Sequence, residues 1–316
     1  MKIIVTGSCG FIGFHLCKSL LDDDHEILGI DNINDYYDPK LKHARLNQLT
    51  SYKNFIFDKI DITNKDLISK SFQSFKPEKV VNLAAQAGVR YSIENPQAYM
   101  DANLVGFLNI IESCRHNGVE GLVYASSSSV YGGNIKIPFS VEDRVDDPIS
   151  LYAATKKANE LIANSYSNLY DLHTTGLRYF TVYGPWGRPD MAMFIFTKKI
   201  MAGESISVFN NGNMKRDFTY IDDIINGTRS ALEKNYKCEV FNLGNHKSEQ
   251  LMDMISLIEK ELGKKAEIEL LPMQPGDVKE SYADIKHSVE KLNFFPKISI
   301  EIGIPNFVNW FKKHDF

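Results

Sequence analysis

The 316-residue sequence is poor in the residues that build metal centres and disulfide frameworks. Its four cysteines, Cys9, Cys17, Cys114 and Cys238, form no C-x-x-C pair and no metal spacing. That leaves no disulfide or zinc framework and makes a reduced cytoplasmic compartment the expected one. Eight histidines include no H-E-x-x-H, so no bound metal is expected. Basic charge is also short: the formal net charge is −4, which argues against nucleic acid as a partner. No apolar run reaches the roughly 18 residues of a membrane span. The chain opens directly on a strand-like run, so no signal peptide is expected. Arginine is scarce, with 8 against 28 lysines, which makes the placement of each one informative.

What remains is an ordinary soluble composition, 43% apolar and 24% charged, with length enough for a substantial core. Residues 2–6 (KIIVT) read as a buried parallel strand followed at once by Gly7, Gly10 and Gly13 and an apolar-periodic helix. A glycine turn opening a helix permits a tight bend, close approach of a pyrophosphate and close helix–strand packing. A second strand at 26–30 ends on Asp31, where a carboxylate can accept both ribose hydroxyls and repel a 2′-phosphate, favouring NAD over NADP. Strands follow at 55–57, 79–83, 122–125 and 173–178, with a long helix at about 96–116 that carries Asn103. Such alternation predicts a Rossmann-type α/β fold, a doubly wound parallel sheet. Asp61 and Ile62 can face the adenine or simply start a helix. Leu83, Ala84 and Ala85 can pass close to a cofactor or serve small-residue packing. After residue 180 the pattern turns irregular. The expected division is a dinucleotide domain at 1–180 and a smaller substrate domain at 181–316, with 240–243 able to return to the main sheet.

The chemistry centres on residues 120–160. A strand ends in Ser126–Ser129, and Tyr152 and Lys156 follow one helical turn apart. A phenol beside a fixed ammonium has a lowered pKa and can exchange a proton with a substrate hydroxyl near neutral pH. Tyr-x-x-x-Lys also occurs at Tyr36/Lys40 and Tyr282/Lys286, so the company of the middle copy is what singles it out.

TGxxGFIG, SSSSVYG, YxxxK and RDFTYIDD together resemble the extended short-chain dehydrogenase/reductase superfamily of sugar-nucleotide enzymes. More closely, DNINDYYD, NLAAQAGVRYSIENP, YASSSSVYGGN, SLYAATKKANE, FTVYGPWGRPDMA and QPGDV are similar to the UDP-glucuronate 4-epimerases. The resemblance implies NAD as cofactor, a UDP-sugar as substrate, a homodimer built on a four-helix contact, and a place in polysaccharide biosynthesis. It implies Tyr152 as acid/base, Lys156 on the nicotinamide ribose and Ser127 on the reacting oxygen. Gly7, Gly10, Phe11, Ile12, Gly13, Asp31, Asn32, Asp61, Ile62, Leu83, Ala84, Ala85, Asn103 and Tyr179 would line the cofactor. Arg90, Ser128, Ser129, Thr181, Arg188, Phe209, Arg216 and Asp277 would line the substrate. Of the arginines, Arg178, Arg188 and Arg216 are expected along the inter-domain cleft, where bidentate guanidinium suits diphosphate and carboxylate. Phe209 can stack on uracil or belong to the core.

A C4–H beside a hydroxyl is too weakly acidic to invert by plain deprotonation, so oxidation to a 4-keto sugar and return to the other face is the route implied. Related dehydratases and decarboxylases carry an acidic residue where this chain has Ser128-Ser129, which favours epimerisation. A neutral-sugar 4-epimerase is the nearer alternative, separable by testing UDP-glucose; many of those carry arginine before the Pro-Gly-Asp where this chain has Gln274, a departure that weakens the carry-over of uridine contacts to that stretch. A non-catalytic NAD sensor on the same fold is the remaining one.

Overall fold

The computed structural model describes residues 1–274 and 277–314. Seven strands form one fully parallel sheet: β1 Lys2–Thr6, β2 Glu26–Asp31, β3 Phe55–Lys59, β4 Lys79–Asn82, β5 Gly121–Ala125, β6 Thr174–Tyr179 and, far along the chain, Cys238–Leu243. The last of these pairs with β6, Val240 opposite Gly176. The chain winds outward through β2 and β3 on one side of β1, and through β4, β5 and β6 on the other. The order therefore reverses between β1 and β4, and the crevice outside their carboxyl ends is where ligands bind in such sheets.

Alternation along β1 sets up two cores. Ile3 and Val5 join the apolar cluster on one face of the sheet, with Leu16 and Leu20 of the helix Phe11–Leu21. Ile4 joins the other, with Leu28, Val80, Leu122, Phe72 and Ile110. Both faces are covered, which is why these strands are apolar runs rather than half-polar ones.

The expected helix at 96–116 is interrupted. A turn of α-helix at Pro96–Tyr99 passes through a π-helical segment, Met100–Gly106, before α-helix resumes at Phe107–His116. The wider winding coincides with polar demands on Asn103: its carbonyl accepts from Asn159 Nδ2 at 2.7 Å. Its side chain accepts from Gln86 N and donates to Gln86 O and Thr155 Oγ1. Pi segments of this kind re-aim backbone groups.

Beyond residue 180 there are three small sheets. β7 Thr181–Tyr183 pairs with Phe218–Tyr220, Ile206–Val208 pairs with Ile268–Leu270, and Lys215–Arg216 lies between Glu249–Gln250 and Glu280–Ser281. Asp217 ties these pieces together. Its fully buried carboxylate accepts from Thr219 Oγ1 at 2.8 Å and from the backbone N–H groups of Asn245, His246 and Ala283. Burial pushes its carboxyl up to about 6 in spite of those four bonds. Asp217→Asn keeps the shape but turns an N–H₂ toward N–H donors, leaving buried groups unpaired. The expected loss is about 3 kcal/mol of stability, seen as a lower urea midpoint; an unchanged midpoint would contradict it.

Candidate active site

The main cavity opens at the β1/β4 switch point, encloses about 830 Å³ and is lined from both halves of the chain. Its floor is the glycine turn. Gly7, with φ +72°, brings the end of β1 so close to the chain leaving β4 that a Cβ there would meet Ala84 N at 2.7 Å. A Cβ on Gly13 would stand 2.0 Å from the Gly7 carbonyl. The helix Phe11–Leu21 begins here with no side-chain cap, so the first-turn N–H groups of a helix dipole face the cavity. That cradle fits the pyrophosphate of a dinucleotide.

At the end of β2, Asp31 accepts from Cys9 N at 3.1 Å and Ile33 N at 2.8 Å, which fixes its carboxylate at the cavity wall. Asn32 donates to Asp61 Oδ2 at 2.7 Å, and Asp61 Oδ1 accepts from Thr63 N and Oγ1. Burial pushes Asp61 up, but these bonds together outweigh it and hold the carboxyl below its usual range. Asp61 thus both organises the turn after β3 and lines the cavity. Phe11, Ile12, Ile62, Leu83, Ala84, Ala85 and Tyr179 line it too. Asn103 does not: it lies behind the wall, holding Gln86, because its amide is used up by the π segment's packing.

The helix Leu151–Tyr170, capped by Ser150, carries Tyr152 and Lys156 beside the end of β5. Lys156 is buried and donates to Ala125 O at 2.8 Å; burial lowers its ammonium to about 8. The expected lowering of the Tyr152 phenol by Lys156 is not what the structure gives. Burial raises the phenol, and the influences opposing it are the Ser127 hydroxyl and the Arg188 charge. Lys156 itself is turned to a backbone carbonyl.

Arg178 is a second correction. It does not line the cavity but lies buried behind the serine strand, bidentate to Glu160 at 2.8 and 2.9 Å and donating to Tyr131 OH. Glu160 also accepts from Ser126 Oγ at 2.6 Å. Glu160 was the missed partner: a carboxylate two helical turns beyond Tyr152, on a buried face, requires a cation.

The candidate substrate residues Arg90, Ser128, Ser129, Thr181, Arg188, Phe209, Arg216 and Asp277 all line the one cavity. Arg90 covers the Phe209 ring at 5.0 Å and pairs with Asp277 at 3.6 Å, while Arg216 reaches the other Asp277 oxygen at 3.3 Å. Phe209 is therefore a cavity residue with one face toward a cation. Of the QPGDV stretch, Pro275 and Gly276 lie outside the described residues. Tyr36 and Asp190 are among the cavity residues that escaped the sequence reading although their motifs were in view.

Gly13→Ala tests the cradle. Relief of the 2.0 Å clash must shift the turn, so NADH affinity, read by fluorescence titration, is expected to fall by at least about tenfold. Unchanged affinity would move the phosphate site elsewhere.

The model of the NAD dependent epimerase/dehydratase family matches residues 3–244. Over 334 residues the chain is 49% identical to protein CapI of Staphylococcus aureus, covering 99% of each. It is 45% identical to UDP-glucuronate 4-epimerase 4 of Arabidopsis thaliana, covering 98% of this chain and 75% of that one. The crystal structure of a UDP-glucuronic acid 4-epimerase from Bacillus cereus, in complex with UDP-glucuronic acid and NAD, superposes with a TM-score of 0.94 at 36% identity, covering 99% of both chains. With the glycine cradle, Tyr152 and Lys156 in one cavity and a family match over most of its length, the chain belongs to the NAD dependent epimerase/dehydratase family.

Proposed function

We propose that the protein is an NAD-dependent 4-epimerase that interconverts UDP-glucuronate and UDP-galacturonate through a 4-keto sugar. Residues 1–180 carry the dinucleotide and residues 181–316 most of the sugar-nucleotide site. The carrying observation is that the guanidinium of Arg188 lines the same cavity as Tyr152, Ser127, Ser128, Ser129 and Thr181. Arg188 Nε and Nη2 bind Asp190, and the guanidinium edge left over suits a sugar with a carboxylate one bond from C5 and has no counterpart to recognise on a neutral hexose. The similarity to UDP-glucuronate 4-epimerases in sequence and structure supports the same reading.

Bound NAD supplies reversible two-electron exchange at C4. The protein's part is proton transfer and orientation. Tyr152 takes the proton of the C4 hydroxyl and gives it back to the same oxygen once the ring has turned, with Ser127 holding that oxygen. Lys156 anchors the ribose beside it, its buried position fixed by Ala125 O. Arg216, Asp277, Phe209 and Arg90 hold the uridine diphosphate. Ser128, Ser129, Thr181 and Arg188 hold the carboxylate. Oxidation at C4 makes the sugar a β-keto acid, which loses CO₂ fastest when the C5–C6 bond stands perpendicular to the carbonyl plane. Fixed hydrogen bonds and a retained negative charge on the carboxylate oppose that loss. No described helix is long and apolar enough to cross a membrane, in keeping with a cytoplasmic enzyme acting on a water-soluble nucleotide sugar.

Tyr152→Phe removes one hydroxyl and no packing volume. Turnover of UDP-glucuronate should fall by about 10²–10⁴-fold, with NAD and UDP affinity retained; a fall below tenfold would remove Tyr152 from the role.

A homodimer completes the proposal. Leu108 is 44% exposed and Leu161 58% exposed, on the two neighbouring helices Phe107–His116 and Leu151–Tyr170, and Tyr170 is exposed at the end of the second. Such a face suits an isologous helical interface. Light scattering at micromolar concentration should return a dimer mass, and a monomer mass would overturn this.

A further inference from the structure

The cavity wall that faces a substrate carboxylate already contains a carboxylate of the protein. Asp190 accepts from Arg188 Nε at 3.0 Å and from Arg188 Nη2. Tyr36, on the loop after β2, donates to Asp190 Oδ2 at 3.1 Å. Burial works to raise the Asp190 carboxyl, but Arg188 and Tyr36 hold it below its ordinary range, so it is ionised. All three residues line the cavity. The loop just before them is fastened as well: Arg45, fully buried, donates to the carbonyls of Trp186, Gly187 and Cys9.

We propose that Asp190, steadied by Tyr36, is a positioning residue that fixes the guanidinium plane of Arg188 and offsets its charge, so that the substrate carboxylate is held by direction rather than by net attraction. This rests on the functional reading above.

The argument has a geometric and a kinetic part. A guanidinium has five N–H donors in one plane. Asp190 occupies Nε–H and one N–H of Nη2. The Nη1/Nη2 edge remains as a fork for a second carboxylate, and its direction is set because the first edge is clamped. The pair Arg188–Asp190 is neutral overall, so a bound sugar carboxylate shares the guanidinium with a like charge. That weakening serves turnover. Presenting the opposite face of a 4-keto ring to the same hydride site turns the ring about the line from C1 to C4. C3 and C5 then exchange sides, so the carboxylate on C5 must leave its station in each turnover. A grip equally tight throughout lowers KM without raising kcat, and here it also delays the turn.

The test is Asp190→Asn in NAD-loaded protein, with Kd measured by calorimetry for UDP-glucuronate, UDP-glucose and UDP, and turnover of UDP-glucuronate followed alongside. The variant leaves Arg188 uncompensated. UDP-glucuronate is expected to bind at least about fivefold tighter while kcat falls about tenfold, with UDP-glucose and UDP affinities unchanged. Tyr36→Phe keeps charge and volume and carries the test if the Asp190 variant fails to fold. It should lower kcat on UDP-glucuronate roughly threefold and leave UDP-glucose binding alone. Weaker binding of UDP-glucuronate to the Asp190 variant, or equal effects on all three ligands, overturns the proposal. The binding comparison reads Asp190 even where turnover is nil. Absence of UDP-galacturonate from the unmodified enzyme overturns the functional reading instead.

Discussion

The buried ion pair between Glu160 and Arg178 sets the register on which the site depends. It joins the helix Leu151–Tyr170 to β6, and through Ser126 to the end of β5. Both side chains are almost fully buried, so neither charge can be left alone without a cost of about 3–5 kcal/mol. The pair is completed by Tyr131, whose hydroxyl accepts from Arg178 and donates to Asn242 on the far edge strand. One network thus spans three parallel strands and the helix. Slide that helix by one residue and Glu160 loses Arg178, Lys156 loses Ala125 O, and Tyr152 leaves the end of the serine strand.

The same chemistry recurs along the wall of the cavity in a weaker form. Arg188 is bound by Asp190, and Arg90 and Arg216 share Asp277. A protein of net charge −4 presents an anion with guanidinium groups that are already oriented by its own carboxylates. Orientation comes before attraction in this arrangement, and that suits a ligand that must be held accurately and yet move.

Much of this was legible in the sequence because it rests on local rules. The glycine turn, Asp31 at the close of β2 and the parallel alternation follow from backbone sterics and burial, and those residues stand where their spacing put them. Tyr152 and Lys156 share a helix face because a helix repeats, and the serine strand before them is what singled out that copy of the spacing. What was not legible depends on three-dimensional company. Arg178 lies on a strand and Arg188 ten residues on in a turn-rich loop, yet it is the strand residue that points into the core, because Glu160 waits there, and the loop residue that lines the cavity. Asn103 reads as a cofactor contact until the π segment turns its polar groups to Gln86 and Asn159. The Tyr152 phenol is raised rather than lowered because burial, which the sequence does not show, outweighs the Ser127 hydroxyl and the Arg188 charge. Asp190 stood two residues from Arg188 in plain view, and only Tyr36, from a distant loop, gives it a role.

The central claim is that the hydrogen at C4 leaves and returns to the same carbon inside one closed site. UDP-glucuronate deuterated at C4, incubated with the protein in ordinary water and read by proton NMR, tests it most directly. The account predicts UDP-galacturonate that keeps its deuterium at C4. Deuterium exchanged for solvent hydrogen, or a sugar unchanged at C4, would contradict it.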